Sequence, residues 1–411
     1  MKKLICLLLS LVLVLGLFAC SGNGSEGNGS EGNGEGTGNE GGNKTPAADY
    51  TATEEEKAAL EKLYEGLQVH HGQLHDHSQS GRRSDGKATL QEWKDNMPSV
   101  GMEYAALLDH RQTDHMYHED WSHELFISGT EAMTYISDRD AKYNKYHYNM
   151  IFNDVKDMEA VLSNHMRTYM FVDGVFDYNP MSSTEFIQII QEVLASGGYF
   201  VIPHPYTTAI DSAPEGHEGY WYSEDPLEYY FCDGIGYEVF YHISDNEKAR
   251  DELTALHYEL YTGLLAAGKK VYASAGSDVH GLPTDRGLST VYSSQKLDTA
   301  YIEQLRKGNY TAGPVGVRMS IGETTMGGTG DFNCKRIVVS VGDFHKNYAG
   351  GKYQLKLFSD KGEVATVDLA STDTAYFAFD ADESAKFYRV EIHDTTREYT
   401  LLAMGNPIWN D

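Results

Sequence analysis

Cysteine is scarce. Four residues in a chain of 411 exclude a disulfide-built scaffold, and there is no CxxC pair to form a zinc ribbon. Basic residues are few, 33 against 61 acidic ones, for a net charge of −28. That balance excludes a sequence-independent binder of nucleic acid, duplex included, which needs a basic face against phosphates. It also excludes a polybasic membrane-surface protein. Charged residues at 23% and hydrophobic ones at 41% are ordinary for a globular chain and sufficient for a sizeable core. At about 150 residues per domain the length allows two to three domains. Histidine is what the chain has in excess. There are 17, and eight of them lie between His70 and His123.

The N-terminus reads as an address. Lys2 and Lys3 precede an apolar run from Leu4 to Phe18. At about 15 residues it falls short of the roughly 20 that span a bilayer, so it is expected to be a secretory signal over residues 1–19. The run ends Leu17-Phe18-Ala19-Cys20. This resembles the bacterial lipobox, which implies lipidation of Cys20 and a protein anchored on the outer face of the cell membrane; plain cleavage after Ala19 is the alternative. Residues 20–49 hold the lipidated cysteine and a Ser-Glu-Gly-Asn-Gly-rich tether with almost nothing to bury. A Gly-rich coil of this kind spans roughly 30 Å. Cys232 and Cys334 are expected to be free, buried thiols.

The rest of the chain divides at about residue 312. Thr53 with Glu56 caps a helix expected to run to about Leu67, and Ser182 with Glu185 caps another along Phe186, Ile189, Ile190, Val193 and Leu194. Leu253, Leu256, Leu260 and Leu264 mark a third, ended at Gly268. Between them lie short apolar strands at 104–108, 199–202 and 270–275. Such alternation predicts an α/β domain over 50–312, with chemistry at the C-terminal ends of the strands. Residues 313–411 show short alternating runs with no helical period, and a small β-sandwich is expected there.

The strands deliver imidazoles and carboxylates in order. His75-Asp76-His77 places two rings on one side of an extended segment. Ser84-Asp85-Gly86 follows, read as opening the next helix. Asp109-His110, Glu131, Pro203-His204-Pro205 and Gly276-Ser277-Asp278-Val279-His280 come next, each after an apolar stretch, and His147 lies within the run Tyr146 to Phe152. Any one of these could be an ordinary polar cap. The series together predicts a multinuclear metal site of nitrogen and oxygen ligands, which suits Mn, Fe or Zn.

The order HxH, SDG, DH, GxE, H, HP, GSDxH resembles the polymerase and histidinol phosphatase (PHP) superfamily, from about Leu67 to Ala312. The resemblance implies a distorted (β/α)7 barrel holding two to three divalent ions, and a phosphoesterase activity. It also implies the ligands. His75, His77, Glu131 and Asp278 would hold one ion, and Glu131 would bridge to a second on His147 and His204. Asp85, His110 and His280 would hold the third. His165 is the fallback for His147, and His115 competes with His110, which is preferred because it ends a strand. Ser78 stands where Thr is common, and Asp85 fills a slot that some members fill with His. The tail Gly405-Asn406-Pro407-Ile408 resembles that of secreted members.

Clustered ions lower the pKa of a shared water and neutralise phosphoryl oxygens. Asp278 and His204 are therefore expected in the catalytic machinery, with Arg111 gripping non-bridging oxygens and Arg82, Arg83 and Trp221 as weaker substrate-binding candidates. Aromatic loops at 116–123 and 206–231 are expected to overhang the ions, with His118, His123, His217 and His242 in the lid or behind the ligands. Glu238 is expected to support the site, and His70 and His71 to be strand residues. The expected substrate is a phosphorylated small molecule or glycan, with no obligate protein partner. Two other functions compete: hydrolysis of a non-phosphate bond, and non-catalytic solute or glycan binding, against which the full ligand series counts.

Overall fold

The computed structural model describes residues 49–79, 84–139, 145–165, 171–172, 175–176, 180–206 and 225–411. Among them are six α-helices: α1 Glu54–Leu63, α2 Leu90–Val100, α3 Val155–His165, α4 Ser183–Ala195, α5 Glu247–Ala266 and α6 Asp298–Lys307. Thr53, Thr89 and Ser182 each close a reciprocal capping box with the glutamate three residues on, which fixes where α1, α2 and α4 begin. Helix α1 stops at Leu63, four residues short of the expected end. Ser84-Asp85-Gly86 does not open a helix; α2 starts only at the Thr89 cap. The α4 stripe buries Phe186, Ile189, Ile190 and Val193, and each such side chain contributes about 1.5–3 kcal/mol.

Strand β1 (Gln68–Asp76) lies parallel to β2 (Tyr104–Leu107), and β2 to β3 (Phe126–Ile127). After the single residue Ser128 the chain enters β4 (Gly129–Ile136), in a second, six-stranded sheet. There β4 pairs antiparallel with β5 (Lys145–Ile151), and β5 with β6 (Tyr199–Ile202). Strands β7 (Gly236–Tyr241) and β8 (Tyr272–Gly276) continue parallel to β6. Strands β6, β7 and β8 are buried at every residue, as parallel strands covered on both faces should be. Backbone hydrogen bonds join the two sheets at both seams. Asp278 N donates to His75 O at 2.8 Å and His77 N to Val279 O at 3.1 Å; on the other side Glu131 N donates to Leu108 O at 3.0 Å.

Residues 313–411 are β-rich, as expected, but they do not stand apart. Residues Asp49–Asp411 form one compact unit. Strand β9 (Ser289–Ser293) pairs with β1 and with β10 (Tyr310–Ala312), and β10 pairs in turn with Leu401–Gly405. The first sheet thereby runs on into the C-terminal strands, eleven in all. Phe387, Leu401, Met404 and Trp409 share one apolar cluster with Val271, Tyr272 and Tyr310. Buried Asn406 completes the join, accepting Ala273 N–H at 2.7 Å and donating to Tyr310 O at 3.3 Å. A second cluster around Val317, Val339, Leu355 and Val390 fills the C-terminal strands themselves.

Candidate metal centre

Three groups of side chains converge where the two sheets meet. His75, His77, Glu131 and Asp278 form the first; Glu131, His147 and His204 the second; His77, Asp85, His110 and His280 the third. Within each group the nearest ligand atoms all lie within 4.8 Å of one another. The strands explain the convergence. His75 and His77 sit two residues apart at the end of β1, and the β1–β2 register slips between Gln73 and Asp76, which turns this end of the strand. Glu131 and His147 come from the paired strands β4 and β5. His204 and Asp278 follow β6 and β8, and both adopt left-handed backbone, φ 27° and φ 50°. Arg111, with φ 53°, is a third such residue beside the site. Backbone held in this region costs about 1–3 kcal/mol and persists where the surroundings over-determine it.

The facing nitrogen and oxygen atoms lie close together. His77 Nε2 lies 2.8 Å from Asp278 Oδ1 and 3.2 Å from Glu131 Oε2. Glu131 Oε1 meets His147 Nδ1 at 2.7 Å and His204 Nε2 at 3.1 Å. Asp85 Oδ1 lies 3.1 Å from His280 Nε2 and 3.5 Å from His110 Nε2. Yet His75 Nε2, both ring nitrogens of His77 and Asp278 Oδ1 are buried without a well-formed hydrogen bond. Buried polar atoms are rarely left so. One such atom from each of His75, His77 and Asp278 converges with Glu131, and nitrogen and oxygen donors with no thiol among them fit a divalent ion of the Mn, Fe or Zn kind.

Electrostatics agree. Burial alone would lower the pKa of His75 and His77, but Asp278 and Glu131 outweigh it. They hold His75 well above its ordinary value and raise His77 to about 10. Burial would raise Glu131 and Asp278, and the surrounding imidazoles instead hold both low. Burial prevails at His147, which falls to about 4. Without an ion, protons on imidazole balance the two buried carboxylates; a divalent cation would replace those protons.

An outer layer holds the ligands. Asp109 does not join the cluster. It accepts Ser78 N–H at 2.6 Å and Ser78 Oγ–H at 2.7 Å, so the serine that departs from the common Thr still supplies a hydroxyl. Asp76 Oδ1 accepts Ser277 Oγ–H at 2.8 Å and Val279 N–H at 3.2 Å, tying β1 to the segment after β8. Tyr241 donates its hydroxyl to Asp278 Oδ2 at 2.9 Å. Gly86 passes against the backbone of His77 and Ser78, where a Cβ would come within 2.8 Å of His77 C. That close approach accounts for the glycine of the SDG motif.

All nine expected ligands are thus brought together, and Arg111 is placed beside them, its N–H on Glu131 O at 2.9 Å. Arg82, Arg83, Trp221, His217 and Cys20 lie outside the described residues, as does the side chain of His165. His115 does not compete for the third group: its Nε2 lies 2.9 Å from Leu107 O inside the fold. The 116–123 loop does not overhang the ions along its length. His123 Nδ1 lies 2.6 Å from Asp298 Oδ2 at the start of α6, beyond the end of β9 that faces away from the ligands, and His118 pairs with Asp120 on the surface. His242 accepts Gly287 N–H at 3.1 Å, and burial with Arg250, Arg397 and Arg286 nearby lowers it to about 3. His70 and His71 are strand residues, as expected. Both thiols are free, but Cys232 is only partly buried and Cys334 is exposed. Tyr241 and the buried His257, which accepts Tyr206 N–H at 3.3 Å, carry no signal in the sequence.

No family model and no curated protein matches the chain.

Proposed function

We propose that the protein is a metal-dependent phosphoesterase of the PHP kind. In this reading the two sheets, bonded at both seams, are the halves of a distorted barrel, and the C-terminal strands are a sandwich fused to it. The observation that carries the reading is the sharing of Glu131 and His77 among three ligand groups, which spaces the groups for neighbouring ions. Ions held there would supply an activated water and neutralise the charge that develops on a phosphoryl group.

The chain's own residues complete the chemistry. Glu131 and Asp278, held ionised by the imidazoles, fix the two deep positions and exclude a third anion from them. The third group is the open one: Asp85 is 58% exposed at its side chain, against 1% for Glu131. An anionic ester enters from that side, and Arg111 supplies a guanidinium for its non-bridging oxygens. The sequence motif at Cys20 supports lipid anchoring on the outer face of a bacterial cell membrane, with the substrate a phosphorylated small molecule or glycan.

The test is hydrolysis of a phosphomonoester and a phosphodiester side by side, by Mn-loaded protein and by an Asp278→Ala/His280→Ala double variant. Turnover of either ester that disappears in the variant is expected. Bound metal with no turnover of either moves the reading to a non-phosphate bond or to a binding protein.

A further inference from the structure

We infer that Glu238 is a positioning residue of the metal centre, one carboxylate that sets the ring of His75 and the backbone of His204 together. The inference rests on the metal-centre reading above and deepens it. Glu238 stands on β7 and is buried. Its Oε1 lies 3.3 Å from His75 Nδ1, and its Oε2 accepts the N–H of His204 at 2.8 Å. The two histidines belong to different ligand groups, so Glu238 couples the first group to the second.

Each oxygen has a separate task. A carboxylate at Nδ1 keeps that nitrogen protonated and leaves Nε2 as the ligating atom. His75 Nε2 faces Glu131 Oε2 at 3.3 Å and Asp278 Oδ1 at 3.5 Å, buried and without a hydrogen bond. The other oxygen holds the N–H of a residue whose φ of 27° few side chains tolerate. Local structure makes room for both. The β7–β8 register slips between Glu238 and Phe240. On β8, Gly276 leaves the space the carboxylate occupies: a Cβ there would collide with Glu238 Oε1 and lie 2.6 Å from His75 Cβ. Glu238 is not among the residues grouped as ligands, so its role is exerted through the histidines.

Glu238→Gln isolates the role, because it keeps the shape and removes one acceptor. With the amide oxygen on His204 N–H, the amide NH2 faces His75 Nδ1 and drives the ring proton onto Nε2, the ligand atom. Metal affinity and stoichiometry are read on the full-length protein in detergent, by Mn titration and elemental analysis. Binding in the first group about 10–100-fold weaker than wild type is expected, with the metal-free melting temperature little changed. Gly276→Ala crowds both the carboxylate and the His75 side chain, and is expected to weaken binding in the first group as well. A third readout needs no variant: imidazole 15N shifts of the zinc-loaded wild type should show His75 protonated at Nδ1 and bound through Nε2. Wild-type metal binding with Glu238→Gln unchanged, or His75 bound through Nδ1, overturns the inference alone. A wild type that holds no ion overturns the metal-centre reading and this inference with it.

Discussion

At the residue scale the site is a balance of buried charge, and its pH response follows. The pKa values of His75 and His77 are raised in the folded, metal-free protein, so their contribution is complete below the ordinary value near 6.5. It is lost as pH rises, for His77 through about 10. Those of Glu131 and Asp278 are lowered, so their contribution is present above the ordinary carboxylate range and lost in stronger acid. The metal-free protein should therefore melt highest between roughly pH 4.5 and 6.5, with melting falling on the alkaline side. The stabilisation given by Mn should grow over that alkaline range, since ligands must shed protons to bind. Melting curves with and without Mn across pH check this; a Mn effect that shrinks from pH 6 to 9 would count against the assignment. Tyr241→Phe keeps the ring and removes the hydroxyl from Asp278 Oδ2. Metal affinity about tenfold lower, by titration, is expected for a lost outer hydrogen bond.

At the element scale, the periodic signals were legible and the local irregularities were not. The capping boxes at Thr53 and Ser182 gave helix starts to the residue, because a side chain bonded to the third N–H leaves little choice. The order of ligand motifs gave all nine members of the cluster: His75, His77, His110, His204, Asp278 and His280 end or closely follow strands, Glu131 and His147 sit near the starts of β4 and β5, and Asp85 lies in the loop before α2. Tyr241 was hidden because the strand slips in register after Glu238, so simple alternation does not show which face its hydroxyl takes. His123 was misread because proximity in sequence to His110 says nothing of the loop's descent to α6. The α4 stripe offers a check on the elements themselves. Phe186 is fully buried against Tyr148, Phe200 and Phe231, so Phe186→Ala should cost about 3–5 kcal/mol in denaturant unfolding.

At the scale of the whole molecule, the division at residue 312 is one of sequence pattern and not of packing. Composition changes there, from helix-rich to strand-rich, but strand pairing is non-local and leaves no mark in either segment alone. Thr311 and Ala312 pair with Gly405 and Met404, and Asn406 reaches back to Ala273. Cutting after 312 should therefore leave an exposed strand edge and an insoluble product, where a separable domain would stay soluble and folded. Asn406→Ala, which leaves the buried Ala273 N–H without its acceptor, should cost about 1–3 kcal/mol by the same unfolding assay.

The exposure of the three groups would also order any ions held there. His75, His77 and Glu131 are closed off from solvent, whereas Asp85, His110 and His280 are open to it. Elemental analysis of the purified protein, before and after Mn loading and again after brief chelation, tests the central claim most directly. Two to three equivalents after loading are expected, with the loss on chelation confined to one and the rest retained. Protein that keeps no metal above the buffer level, while folded and at neutral pH, would contradict the account.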